Sequence, residues 1–272
     1  MEHENFIKVK NSSPAGDLIA MLAGLKELHK RTGKKVIIYQ RLNMKGIGYQ
    51  GATHKFIDNQ GDPVAMNDYM FNFLKPLIID QYYIHDFIIY EGQQFEFDLD
   101  KARQETFTNQ PRGSLNRWIF YVFPQMATDL SRKWILVPVT DMESNATNKI
   151  IINFTDRYRN YLLNYFFLKK YEPYLIFAGL FEEYEQFCED FNIEIPYLMV
   201  ENAFELSQAI KNCKFFLGNQ SFCFQLAESM KKPRLLEISP NLPNVIPIGE
   251  NAFDYYHQSH LEYYFEYLFN NC

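Results

Sequence analysis

The chain has 272 residues, 47% hydrophobic and 22% charged, which is ample for one large core or two ordinary ones and marks a folded globular protein, not a disordered one. A net charge of -6 argues against a general electrostatic grip on nucleic acid, and 25 Phe with 19 Tyr are so many that some must stay exposed, at a groove or a subunit interface. The opening stretch MEHENFIKVKNSS has no apolar core of signal-peptide length and no apolar run is long enough to span a bilayer, so the expected location is the cytoplasm.

Phe6 to Lys10 alternates and reads as a first strand. The loop Asn11 to Asp17 leads into a helix from about Leu18 to Lys30, with Leu18, Leu22, Leu25 and Leu28 on one face. Gly33 closes it, and Val36 to Tyr39 is the next strand of a β-α-β unit. Asp17 stands at the mouth of a loop at a sheet's carboxyl edge, either as a charge steadying the helix N-terminus or as a carboxylate offered to a ligand. Tyr49 to Asp68 is rich in turn formers and reads as a loop, and Tyr69 to Leu77 reads as a helix ending near Pro76. LIIDQYYIHDFIIY ends in a strand-like alternation, and Phe95 to Asp100 alternates apolar with acidic residues, as an edge strand with an exposed acidic face does.

A second segment begins near Trp134-Ile135-Leu136-Val137-Pro138, and the polar stretch Thr140 to Asn148 reads as an interdomain linker. Lys149 to Phe154 is a strong strand, followed directly by Thr155-Asp156-Arg157-Tyr158-Arg159-Asn160. Two arginines flanking a tyrosine at a strand's carboxyl end suit a forked grip on phosphate, with the ring covering a base or sugar; the alternative is a pair of surface arginines in local salt bridges. The pattern continues as a helix, a strand at Tyr174 to Phe177, a helix at Glu182 to Phe191, a short strand near Tyr197 to Val200 and a helix at Ala203 to Asn212.

Lys214 to Ile238 is the most legible unit. An apolar strand at Phe215 to Leu217 stops at Gly218, and Leu226, Ala227 and Met230 then repeat at helical spacing until Lys231-Lys232-Pro233, before a second strand. Gly218-Asn219-Gln220-Ser221 reads as the loop between them, where helix N–H groups and the helix dipole favour an anion, or where Asn219 and Ser221 only cap a buried helix. Glu237, ending the second strand, reads either as a ligand for ribose hydroxyls or as a surface carboxylate. Cys188, Cys213, Cys223 and Cys272 lack Cys-x-x-Cys spacing and nearby histidines, so free thiols are expected, with Cys223 packing as a small hydrophobe.

Lys8-Val9-Lys10 followed by Gly16-Asp17-Leu18-Ile19 and a Leu-rich helix resembles the amino-terminal Gly-Asp motif of the heptosyltransferase-like (family 9 type) glycosyltransferases. The strand, the Arg-containing loop and Phe216-Leu217-Gly218-Asn219-Gln220-Ser221 opening a helix are similar to the nucleotide-sugar half of that family. DQYYIHDFIIYEGQ and PNVIPIGENAFDYYHQ resemble motifs of an uncharacterised, divergent group of such proteins. The chain departs from the usual Asp-Ser/Thr-Gly motif with Asn219, Gln220 and Ser221, and has Gln225 near the place of the expected histidine.

The resemblance implies an α/β protein of the GT-B type, with two Rossmann-like doubly wound domains facing a cleft: residues 1–140 on the acceptor side and 149–272 binding the nucleotide-sugar. It implies inverting, metal-independent transfer of a sugar from a nucleotide-sugar to an unidentified hydroxyl acceptor, with no further cofactor. Asp17 is the implied general base. Gly16, Thr155, Arg157, Tyr158, Arg159, Gly218, Asn219, Gln220, Ser221 and Glu237 are the implied donor-binding positions. The expected acceptor half is either trimmed or completed by a homodimer. The alternatives are a non-catalytic nucleotide-sugar-binding or interaction protein with a degenerate GT-B fold, and a nucleotide-sugar hydrolase.

Overall fold

The structure, a computed structural model, describes residues 6–45, 56–104, 113–138 and 145–272. Parts of the expected loop at 49–68 and of the expected linker at 140–148 lie outside them. Alternation in Phe6–Asn11 (β1) turns Ile7, Val9 and Asn11 inward. Ala15–Thr32 (α1) ends at Gly33, whose φ of +70° lets its N–H reach the His29 carbonyl at 2.7 Å. Lys35–Gln40 (β2) follows. Asp68–Ile79 (α2) is capped by Asn67, whose side chain accepts from Met70 N–H at 3.1 Å.

The expected stop at Pro76 does not occur. Pro76 and Asn72 face solvent, where water can answer the carbonyl that proline leaves unpaired, while Leu74, Leu77 and Ile78 on the other face hold the helix into the core. Ile84–Ile89 (β3), Phe97–Asp98 (β4), the short helix Lys101–Gln104 (α3) and Leu115–Val122 (α4) complete the first half. The strands lie in the order β3-β2-β1-β4, all parallel.

In the second half, Ile150–Asn153 (β5), Leu175–Phe177 (β6), Phe181–Phe191 (α5), Ala203–Asn212 (α6), Phe216–Asn219 (β7), Phe222–Ser229 (α7), Arg234–Glu237 (β8), Ala252–Tyr255 (β9) and Gln258–Asn271 (α8) follow in turn. The parallel sheet has the order β6-β5-β7-β8-β9. The expected strand at Tyr197 to Val200 reduces to one bridge between Tyr197 and Phe177, and the helix expected after the β5 loop is a 3-10 helix at Phe166–Tyr174.

Two cores result from the period of two along each strand. Ile150, Ile152, Phe215, Leu217 and Leu235 point to one face, against Tyr165, Phe187 and Phe265. Ile151, Phe216 and Leu236 point to the other, which is continuous with α1, α2 and the inner face of β1. Helix α7 packs along α1, so the two sheets meet through a helix-on-helix seam. Trp134 belongs to that seam rather than to a strand: its indole N–H donates to the Ile19 carbonyl at 2.8 Å, and its carbonyl accepts from Tyr83 at 2.8 Å.

Candidate active site at the two sheet edges

In open parallel sheets, ligands settle outside the carboxyl ends of the strands where the strand order reverses. That point lies between β1 and β4 in the first sheet and between β5 and β7 in the second. The helices leaving β1 and β7 meet at their N-termini. A Cβ placed on Gly16 would lie 3.8 Å from Phe222 Cα and from Gln225 Cγ. The two edges therefore face one another.

At the second edge the sequence-predicted loop is partly strand. Gly218 and Asn219 pair in register with Leu236 and Glu237, leaving Gln220 and Ser221 as the turn. Gly218 is glycine for packing, because a Cβ there would come 2.3 Å from the Asn153 carbonyl and 2.9 Å from the Phe216 ring. Asn219 is fully buried and laces β7 to the loop after β5: its Oδ1 accepts from Thr155 N–H at 3.0 Å and its Nδ2 donates to the Thr155 carbonyl at 2.6 Å. Ser221 caps α7, accepting from Phe224 N–H at 3.1 Å, and the first-turn N–H groups of Phe222 and Cys223 lie beside it. Burial raises the Cys223 thiol to about 12, which fits a packed hydrophobe and not a nucleophile.

The two arginines part company. Asp156–Tyr158 is a 3-10 turn, in which residues two apart do not share a side. Arg157 stays half-buried, its guanidinium 4.6 Å from the Tyr158 ring centroid. Arg159 turns inward, 4.9 Å from the Phe154 ring centroid, with Nε 3.4 Å from Glu237. Glu237 is neither a surface carboxylate nor a free one: it is fully buried and accepts from Asn160 N–H and from the Tyr165 hydroxyl, which Tyr255 joins at 2.9 Å. Burial raises its pKa above the ordinary carboxylate value against the pull of Arg159, Tyr165 and Asn160. Arg159 and Glu237 thus clamp the floor of the loop on which Arg157 stands.

The first edge is built of matched charges. Lys10 lies 2.9 Å from Asp98 and 3.1 Å from Asp100, and Asp100 also accepts from Ser12 N–H at 2.7 Å. Burial opposes the Lys10 charge, yet the two carboxylates outweigh it and raise its pKa. Of the expected exposed acidic face, Glu96 is exposed, whereas Asp98 and Asp100 form an ion cluster with Lys10, because β4 is laid directly against β1. Asp17, in the first turn of α1, is nearly buried and ion-paired with Arg103, whose guanidinium lies 5.6 Å from the Trp118 ring centroid. A cavity of about 10 Å³ beside Asp17 is lined by Arg103, Leu115 and Trp118. A larger hollow of about 380 Å³ lies between Arg117 and Ser131, on the side of α1 where Thr128 meets Glu27, away from both edges.

Near the seam, Gln220, an implied donor-binding position, is joined by polar groups that the sequence did not single out as site residues. Ser114 and Asn116 open α4, and Asn244 accepts from Leu115 N–H through its carbonyl at 2.8 Å and from Gln220 Nε2 through its Oδ1 at 2.7 Å. Gln220 Oε1, Gln225 Oε1, Ser114 Oγ and both ends of the Asn116 amide are buried without a hydrogen-bond partner among the described residues. A buried polar group without a partner costs about 1–3 kcal/mol. The sequence signals for this set were Gln220, an implied donor-binding position, and Gln225 at the position of the family's histidine.

No protein-family model and no curated protein matches the sequence. Solved structures do match in shape. The E. coli ADP-heptose lipopolysaccharide heptosyltransferase II is 12% identical with a TM-score of 0.60, over 97% of this chain and 98% of that one. E. coli heptosyltransferase WaaC with ADP is 8% identical with a TM-score of 0.60, over 97% and 99%. A glycosyl transferase family 9 protein of Veillonella parvula DSM 2008 is 11% identical with a TM-score of 0.53, over 98% and 90%. The chain has the two-sheet α/β fold of the GT-B heptosyltransferases, as the Gly-Asp and Gly218 motifs implied.

Proposed function

We propose that the protein is a glycosyltransferase that moves a sugar from a nucleotide-sugar to a hydroxyl acceptor, with inversion and without a required metal ion. The observation that carries this reading is the contact of the α1 and α7 N-termini at Gly16 and Phe222, which sets an anion-favouring edge against an edge bearing a carboxylate. The similarly folded WaaC was solved with ADP, which supports a nucleotide diphosphate as the anionic part. Residues 1–140 would serve the acceptor and 149–272 the donor.

In this mechanism the acceptor oxygen attacks the anomeric carbon, the bond from that carbon to the diphosphate breaks, and the acceptor proton passes to Asp17. Arg157, the Phe222 and Cys223 N–H groups and the Thr155 and Ser221 hydroxyls take up the charge of the departing diphosphate, which is why a cation is not required. Arg159 and Glu237 hold that loop from beneath. Thermal stabilisation and release of free nucleotide across a panel of UDP-, GDP-, ADP- and CMP-sugars, with and without EDTA, test the reading. Stabilisation with turnover in EDTA supports it, whereas binding that vanishes in EDTA and returns with magnesium or manganese contradicts the metal-free mechanism.

One observation favours a second reading, a non-catalytic nucleotide-sugar-binding protein: Asp17 is engaged by Arg103 in an ion pair. Donor binding with no turnover in the same panel selects it.

No helix among the described residues is long and apolar enough to cross a membrane.

A further inference from the structure

The net charge of -6 is divided unevenly over the molecule. A belt of cations runs below the amino ends of both sheets, from the end of α1 to the turns before β7 and β8. Lys26 donates to the Lys133 carbonyl at 2.6 Å, Lys232 donates to the Lys211 carbonyl at 3.1 Å, and Lys211 in turn donates to the Val137 carbonyl. Lys30 and Arg31 share Glu27, and Arg132 lies 3.3 Å from Asp129, whereas Lys26, Lys133, Lys211 and Lys232 form no ion pair among the described residues. Burial and the like charges of Arg132 and Lys30 lower the pKa of Lys26, and burial and Lys133 lower that of Lys211. Positive charge is therefore crowded along the belt beyond what the fold compensates.

The opposite charge is gathered on α5 and the chain around it. From Tyr171 to Ile210 the sequence holds nine carboxylates and no lysine or arginine. Glu185, Glu189, Asp190, Glu194 and Glu201 are exposed and form no ion pair among the described residues. Lys169, which reaches the Asn192 carbonyl at 2.8 Å, is itself paired with Glu172. Both surfaces also expose apolar side chains. Leu136, next to the carbonyl that holds Lys211, is 41% exposed, and Tyr82, its ring 5.4 Å from that of His29 beside Lys30, is 48% exposed. Met199, between Glu194 and Glu201, is 84% exposed. Apolar side chains set among charges in this way match the composition of a protein-protein contact.

We infer that the cationic belt of one copy of the chain docks on the acidic α5 face of a second copy. An anionic lipid surface would answer the belt and leave the acidic face uncovered, whereas a second copy answers both. Like charges set two belts, or two α5 faces, against each other, so neither surface pairs with itself. The belt lies at the strands' amino ends and α5 beside the outer strand β6, so the contact is heterologous, and each copy keeps one face for a further neighbour. The belt is also at the opposite ends of the strands from the candidate site, so the inference stands apart from the proposed reaction.

Sedimentation velocity of the full chain across a salt series tests this. In about 50 mM NaCl the wild type should sediment above the 32.4 kDa of one chain, increasingly so with concentration, and in about 500 mM it should return to that mass, the association constant falling by about tenfold or more. Arg132→Glu with Lys133→Glu, and Glu185→Lys with Glu189→Lys, should each stay at the single-chain mass in low salt. An equimolar mixture of the two should associate again, because the reversed belt of one meets the reversed α5 face of the other, a recovery that misfolding does not produce. A wild type of single-chain mass at every salt concentration, association that salt leaves unchanged, or folded variants that do not recover on mixing would overturn the inference. Should either reversal not fold, Arg132→Gln with Lys133→Gln and Glu185→Gln with Glu189→Gln take their place: each should weaken association by about threefold or more, and an association constant within about twofold of wild type would overturn the inference. A wild type that stays a single chain in low salt and is pelleted by phosphatidylglycerol vesicles, but not by phosphatidylcholine vesicles, would assign the belt to a lipid surface instead.

Discussion

The two sheet edges solve opposite electrostatic problems with the same β-α geometry. At the first, Lys10 sits between Asp98 and Asp100, and Asp17 pairs with Arg103, so each of these charges has a counter-charge in contact. At the second, the buried carboxylate Glu237 is spent on the floor of the loop, held by Asn160, Tyr165 and Arg159, and the carboxyl edge ends at the N-terminus of α7. The difference teaches that fold position alone does not assign chemistry. An anion is favoured at the second edge, while the first holds a carboxylate in a fixed place without accumulating positive charge.

Substitutions can break this division from either side. The largest effect is expected for Asp17→Asn, which keeps shape and helix-end hydrogen bonding but removes the proton acceptor: transfer should fall by about 10²–10⁴-fold with donor affinity preserved. A helix-steadying charge would instead cost only about 0.3–1 kcal/mol of stability and leave turnover nearly normal.

Glu237→Gln should destabilise the fold by roughly 3–5 kcal/mol, because it strands the buried Arg159 guanidinium. A denaturant midpoint equal to that of wild type would show that Glu237 does not hold the loop. Next comes Arg157→Ala, expected to weaken nucleotide-sugar binding by about 1.5–3 kcal/mol if the guanidinium meets a diphosphate, measured by calorimetry; no change would mean that Arg157 has only local contacts.

The smallest effect should be that of Ser221→Ala, about 1 kcal/mol of stability through the lost cap, together with a separable loss of donor affinity. Outright unfolding without such a binding loss would make Ser221 a cap and nothing more.

Much of the frame was legible because it follows local periodicity. The alternation at Phe6 to Lys10, the leucines of α1, the run before Asn153 and the strand-turn-helix after Phe215 all lie within a few residues of where the chain places them. Legibility failed where a tertiary neighbour decides. Gly218 looks like a loop glycine until the Asn153 carbonyl across the sheet explains it. Arg157 and Arg159 look equivalent until the turn between them leaves one half-buried against Tyr158 and sends the other onto Phe154. Glu237 offers no sign in sequence that Tyr165 and Asn160 will consume its oxygens.

The last strand and helix were carried only by a resemblance in PNVIPIGENAFDYYHQ. Yet Leu261, Phe265 and Leu268, spaced along one face of α8, are all fully buried, so that pattern was present to be read. Ser114 and Asn116 gave no signal, because a lone Ser and Asn near a helix start read as ordinary capping residues.

The division of labour between the edges is tested most directly by measuring donor affinity and single-turnover transfer rate, at saturating donor, for Asp17→Asn and Arg157→Ala beside wild type. The account predicts a double dissociation: Asp17→Asn binds donor normally and transfers about 10²–10⁴-fold more slowly, while Arg157→Ala binds donor more weakly by about 1.5–3 kcal/mol. An Asp17→Asn transfer rate within about threefold of wild type, with affinity lost instead, would contradict it.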